Sequence, residues 1–172
     1  MRAIPVVITP YDPDLPVRAD TLASALKIVG PVLIAVHHIG STAVPGLAAK
    51  PIIDLTPVVR GLDAFDLRRP LVEALGCRWH GENGIPGRRY CVLDDAVGGR
   101  MAQLHVFTEI SPDLRRHLAF RDYLRAHPDV ARAYADEKSR AQRLHPDNSH
   151  RYSDEKSAWV RRVEALALEW PA

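Results

Sequence analysis

Apolar positions change their spacing twice along the chain, and each change marks a different kind of element. At the start, Ile4, Val6, Val7 and Ile8 form an extended, proline-punctuated run that predicts an edge strand, followed by a turn at Tyr11-Asp12-Pro13. Asp20 resembles an N-cap, and Leu22, Leu26 and Val29 recur at helical spacing up to Gly30-Pro31. Two β-type runs come next, residues 32–36 and 51–59, on either side of a small-residue loop, residues 40–49. Residues 63–75 read as a second helix, capped by Asp63 and ended by Gly76, and residues 89–93 and 103–107 as strands. After Ser111-Pro112 the strands stop. Three helical segments follow, at residues 113–126, 128–144 and 153–169, separated by His127-Pro128 and His145-Pro146-Asp147. Strands first and helices later predict an α+β domain over residues 1–172, a mixed-sheet core in 1–110 with a helical part, 111–172, closing a cleft against it.

Composition narrows the class. With 172 residues, 47% hydrophobic, the chain is long enough for one core without covalent staples. Its only cysteines, Cys77 and Cys91, form no CxxC pair, which argues against a zinc ribbon or a disulfide scaffold. The start shows no signal-peptide pattern, and no run approaches the roughly 20 apolar residues of a membrane span, so the expected location is the cytoplasm and no membrane partner is expected. A net charge of +2 is too small to favour nucleic acid. The slight basic excess lies entirely in residues 87–172, and nineteen of the 23 basic side chains are arginine, a residue suited to phosphate contacts.

The chemistry concentrates in residues 37–59, HHIGSTAVPGLAAKPIIDLTPVV. A strand enters Gly40-Ser41, turns, and leads to a second strand with a single acid, Asp54, amid apolar residues. A carboxylate there needs a partner, because burying an unpaired charge costs several kcal/mol. Gly40 allows close approach of the backbone to an anion, and Ser41 is either a simple N-cap or part of a phosphate cradle. Asp54 either caps nearby amides or, with Thr56 on the same sheet face, holds a metal that bridges to phosphate oxygens. Lys50 is either a solvated loop charge or a phosphate contact beside Ser41.

In the helical half, Arg121 follows Leu114 by seven and Leu118 by three, which places it near the buried face of its helix as a cleft-facing cation. Tyr134 with Lys138, and Tyr152 with Lys156, are i,i+4 pairs: either lysines packed along tyrosines, or ammoniums that contact phosphates while a tyrosine stacks on a base. Arg89 opens a predicted strand beside the cleft. His37 and His38 are adjacent on a strand and so face opposite ways, which argues against shared metal ligation.

The run His38-Ile39-Gly40-Ser41-Thr42-Ala43-Val44-Pro45-Gly46-Leu47-Ala48-Ala49-Lys50-Pro51-Ile52-Ile53-Asp54 resembles the signature of the GrpB family within the nucleotidyltransferase superfamily. Leu104-His105-Val106-Phe107, Phe120-Arg121-Asp122-Tyr123, His127-Pro128, Tyr134, Lys138, Tyr152 and Lys156 extend the resemblance over nearly the whole chain. It implies a nucleotidyltransferase-like mixed sheet, Mg²⁺, and a nucleotide or other phosphorylated ligand. Asp54 would be the catalytic, metal-holding residue. Gly40, Ser41, Lys50, Arg89, Arg121, Lys138, Tyr152 and Lys156 would contact the ligand. The superfamily pattern places two acids as Asp-x-Asp and a third on a later strand; here Thr56 and His105 stand at the second and third places. One metal held by Asp54 and His105, or metal-free binding, suits that set. Family members also occur fused to dephospho-coenzyme A kinase. The resemblance therefore leaves three functions open: a nucleotidyltransferase, a non-catalytic nucleotide-sensing module, or a partner domain in coenzyme A synthesis.

Overall fold

The structure is a computed structural model and describes residues 3–171. Helix α1 (Asp14–Ala25) continues into a 3₁₀ segment that breaks at Gly30 and feeds strand β1 (Leu33–Ile39). A one-turn 3₁₀ segment, Ser41–Ala43, and a loop lead to β2 (Ile53–Val59), two short helices α2 (Leu62–Asp66) and α3 (Arg69–Ala74), and strands β3 (Cys77–Trp79), β4 (Arg89–Asp94) and β5 (Arg100–Thr108). Helices α4 (Pro112–Ala126), α5 (Pro128–Leu144) and α6 (Ser149–Glu169) complete the chain. The sheet order is β1-β2-β5-β4-β3, with β2 and β5 parallel and the other pairs antiparallel.

Period-2 alternation divides the central strands between two tasks. Ile53, Leu55 and Val59 of β2 and Ala102, Leu104 and Val106 of β5 point into the main core, where they meet Leu15, Ala19, Phe65 and Val72 from α1 to α3. Asp54 pairs in register with Gln103, on the opposite face. There α4, α5 and α6 pack around Phe120, Leu124, Tyr134 and Val163, which reach the loop after β1 through Val44 and Leu47. The expected α+β arrangement is thus observed.

Several boundaries differ from those the pattern predicts. Residues 4–8 form no edge strand. Pro5 and Pro10 flank a segment that makes a single bridge, Thr9 to Ala49, while Val6 is buried against Ala141 and Tyr152 and its N–H donates to Pro146 O, so the segment straps the α5–α6 hairpin. Helix α1 begins at Asp14, with Asp12 Oδ1 accepting the Asp14 N–H at 2.9 Å; Asp20 is mid-helix. The helix expected over 63–75 is two helices, and Pro70 sits in the first turn of the second, where its missing N–H costs nothing. Helix α6 starts four residues before Ser153, because Asn148 Oδ1 accepts the N–H groups of His150 and Arg151. Strand β3 was too short to read from alternation.

Leu104 is fully buried on the middle strand of the sheet. Leu104→Ala is expected to lower unfolding free energy by about 2–5 kcal/mol, read from the urea midpoint at unchanged m-value; a loss below about 1 kcal/mol would show that the core collapses around the gap.

Candidate functional site

Where β1 ends, the chain turns at Gly40 with φ +69°, a conformation that glycine adopts without strain. A Cβ at this position would stand 2.6 Å from Asp54 Oδ2, so the turn backbone lies directly against the carboxylate on the neighbouring strand. His38 Nε2 and Thr42 Oγ1 lie 2.9 Å apart and bind the two sides of the turn to each other. Gly40, not Ser41, holds the N-cap position, and no side chain caps this turn.

The other carboxylate oxygen, Asp54 Oδ1, lies 3.5 Å from His105 Nε2. Arg88 is buried, donates to the carbonyls of Glu82 and Asn83, and places Nη1 3.3 Å from His105 Nδ1. A guanidinium only donates, so Nδ1 accepts and the imidazole proton sits on Nε2, facing Asp54. The imidazole therefore presents a donor, and no lone pair, to the space beside the carboxylate. That disfavours the expected pairing of Asp54 and His105 as metal ligands. Among the described residues no group of three or more His, Cys, Asp or Glu side chains is placed to hold a metal ion. A single carboxylate suits one Mg²⁺ that takes its remaining ligands from phosphate and water, and it does not suit two.

Asp54 opens into a cleft of about 320 Å³ between the sheet and the helical half. Gly40, Ser41, Lys50, Asp54, His105, Lys138, Tyr152 and Lys156 all border it. Lys50 and Lys156 ammoniums each lie 5.3 Å from the Tyr152 ring centroid, and Lys138 lies 4.8 Å from that of Tyr134. Lys156 also donates to Tyr134 Oη at 3.4 Å, and Lys138 donates to the carbonyl of Ala48. Among the described residues none of the three ammoniums is ion-paired to a carboxylate. Burial, aided by Lys156, pushes the Lys138 ammonium down to about 7, and burial also lowers Lys50 against the pull of Asp54. Burial raises the Tyr152 phenol, which stays neutral.

Two expected ligand contacts lie elsewhere. Arg89 alternates to the core side of β4 and makes a bidentate pair with Asp66 of α2, both bonds 2.7 Å. Arg88, one residue earlier, is the arginine that reaches the cleft side. Arg121 pairs with Asp122 and donates to His38 O at 3.1 Å, tying α4 to β1. Thr56 shares the face of Asp54 but is fully buried, its hydroxyl donating to His105 O at 3.0 Å.

The cleft also contains residues that the pattern did not single out. Gln103 beside Asp54 accepts the Tyr90 hydroxyl. Arg116 bridges Asp113 and Glu164, and His117 carries a buried, unpartnered Nε2. Burial and the neighbouring His105 hold the His117 imidazole down near 3, so it is neutral. Arg116 and His117 precede the buried Phe120 by four and three residues, a helical spacing that could have flagged them.

The sequence matches the family described as GrpB protein over residues 5–165. The crystal structure of conserved protein GrpB from Enterococcus faecalis superposes with a TM-score of 0.89 at 36% identity, covering 95% of this chain and 98% of that one. UPF0157 protein YqkA of Bacillus subtilis is 43% identical over 146 residues, 84% of this chain and 42% of YqkA. UPF0157 protein PA4798 of Pseudomonas aeruginosa is 39% identical over 77% of this chain and 55% of its own length, so the chain spans about half the length of these two relatives. A dephospho-CoA kinase of Mycolicibacterium paratuberculosis is 29% identical over 96% of this chain and 47% of that enzyme. No helix among the described residues is long and apolar enough to cross a membrane.

Gly40→Ala is expected to cost roughly 1–3 kcal/mol in urea unfolding, since the new Cβ combines backbone strain with a clash on Asp54; a variant as stable as the parent would show that the carboxylate moves away freely.

Proposed function

The chain belongs to the GrpB family, and on that premise we propose that its cleft binds a nucleotide or another phosphorylated small molecule, with nucleotidyl transfer as the reaction. One observation carries the binding: three ammoniums, Lys50, Lys138 and Lys156, converge on one cleft without a carboxylate partner among the described residues. Like charges gathered away from water repel one another, and a polyanion between them removes that cost. Ser41 borders the same space from the sheet side.

Asp54 is the residue that would hold Mg²⁺ there, and the ion would supply charge neutralisation on the phosphates and polarise the phosphorus–oxygen bond. The protein's own part is positioning. Gly40 lets the turn close on one carboxylate oxygen, His105 held by Arg88 faces the other, and the lysines draw the phosphate chain toward the Gly40-Ser41 turn. In nucleotidyl transfer an acceptor oxygen bonds to the α-phosphorus as pyrophosphate leaves. A second function, binding without turnover, is favoured by Thr56, whose hydroxyl is committed to His105 O, and by the donor that His105 presents. Similarity to a dephospho-CoA kinase supports a place for coenzyme A among the ligands tried.

Thermal unfolding against nucleoside triphosphates, coenzyme A and dephospho-coenzyme A, with and without Mg²⁺, tests the binding, since a ligand at ~100 times its dissociation constant adds ~2.7 kcal/mol. Stabilisation by at least one triphosphate, with the Mg²⁺-dependent part lost in Asp54→Asn, is expected; no stabilisation by any phosphorylated compound overturns the assignment. Released pyrophosphate marks turnover, and saturable binding without it marks the second function.

Lys138 also sets the pH dependence. An anion favours its protonated form, so above about pH 7 binding must first recharge the amine, and affinity is expected to fall between pH 7.5 and 9. Phosphate groups are already ionised there, with a second pKa near 6, so they contribute no opposing change. Lys138→Met should flatten the profile, and an unchanged slope in that variant would remove Lys138 from the site.

A further inference from the structure

Within the proposed phosphate site, we infer that recognition stops at the phosphates: the ligand class is a compact polyphosphate, and a nucleobase attached to it goes unread. A protein reads a base with an open aromatic face or with free amide, carboxylate or guanidinium groups along its edge. The cleft offers no open aromatic face and few free edges. Its aromatic rings, Phe120, Tyr134 and Tyr152, are 9%, 5% and 2% exposed. Tyr134 lies parallel to Trp159 at 4.9 Å and 7°, meets Phe120 edge-on, and has Lys138 and Lys156 near its ring. Tyr152 has two ammoniums against its ring, those of Lys50 and Lys156. A base would stack only by displacing cations from these rings. Most of the polar edges are committed as well: Gln103 Oε1 accepts from Tyr90, Glu164 and Arg116 pair with each other, and Asp54 is the carboxylate that would hold Mg²⁺.

What remains is point charge, from Lys50 and Lys156 with no carboxylate partner among the described residues and from the buried Lys138, which donates to Ala48 O. The chain contains 19 arginines and only four lysines, yet three of the four lysines border this one cleft. Arginine's planar fork recognises shape, whereas a lysine ammonium recognises negative charge with three freely turning donors. Three such groups around one space of about 320 Å³ match several adjacent phosphates and are indifferent to what is attached to the last of them.

Calorimetric titration of the full chain with Mg²⁺ and inorganic tripolyphosphate, ATP, GTP, CTP, UTP and adenosine tests this. The four nucleotides are expected within about threefold of one another, tripolyphosphate at least as tight, and adenosine without measurable binding. Lys50→Met and Lys156→Met, checked for native circular dichroism, should each weaken tripolyphosphate and ATP by the same factor, about tenfold. One nucleotide binding about tenfold or more tighter than both tripolyphosphate and the other three overturns the inference while leaving the phosphate site in place. Failure of tripolyphosphate and of every nucleotide to bind removes the site itself, and this inference with it.

Discussion

Parallel pairing of β2 with β5 is the constraint on which both halves of the molecule depend. These two strands carry the core on one face and the cleft on the other, so Leu55 and Leu104 are buried by the same register that sets Asp54 beside Gln103. A slip of one residue would turn the carboxylate into the core and expose the leucines, an error the buried face forbids. The position of the acid is thus secured by hydrophobic packing on the far side of the sheet, at no expense to the polar groups around it.

The helical half supplies what the sheet lacks. Its lysines reach the cleft from α5 and α6, pressed against Tyr134 and Tyr152, while Lys50 comes from the loop before β2. Packing supports this arrangement, since the tyrosines are part of the apolar contacts that join the helices to one another and to the residue 4–8 strap. The ammoniums are partly dehydrated by the rings that position them, which lowers Lys138 and makes a neutralising anion more favourable there than at the surface. On the sheet side the groups are pinned: Arg88 orients His105, His105 faces Asp54, and Gly40 allows the turn to close on the carboxylate. A cationic wall therefore faces one with a single acid.

Much of the cleft is legible in the sequence. Gly40, Ser41 and Asp54 stand out because a glycine-serine turn and a lone acid in an apolar strand both break local expectation, and Lys138 and Lys156 because each sits one turn from a tyrosine. Arg89 and Arg121 misled for a common reason. Arginine satisfies a buried carboxylate or carbonyl as readily as a ligand, and only the side of the strand or the rotation of the helix says which. Arg88 and Arg89 differ by one residue and point to opposite faces; on α4, Arg121 is turned to β1 while Arg116 and His117 face the cleft.

Local rules sufficed where a decision is made within a few residues: the α+β division, the turn at Gly40 and the breaks at proline. Tertiary structure alone decided which side chains meet. The three lysines are separated by up to 106 positions, and no periodicity relates a loop before β2 to the faces of α5 and α6. Their convergence follows from the way the helical hairpin packs across the sheet, which depends on the summed burial of residues far apart in the chain, and that same packing turned each tyrosine's ring toward an ammonium.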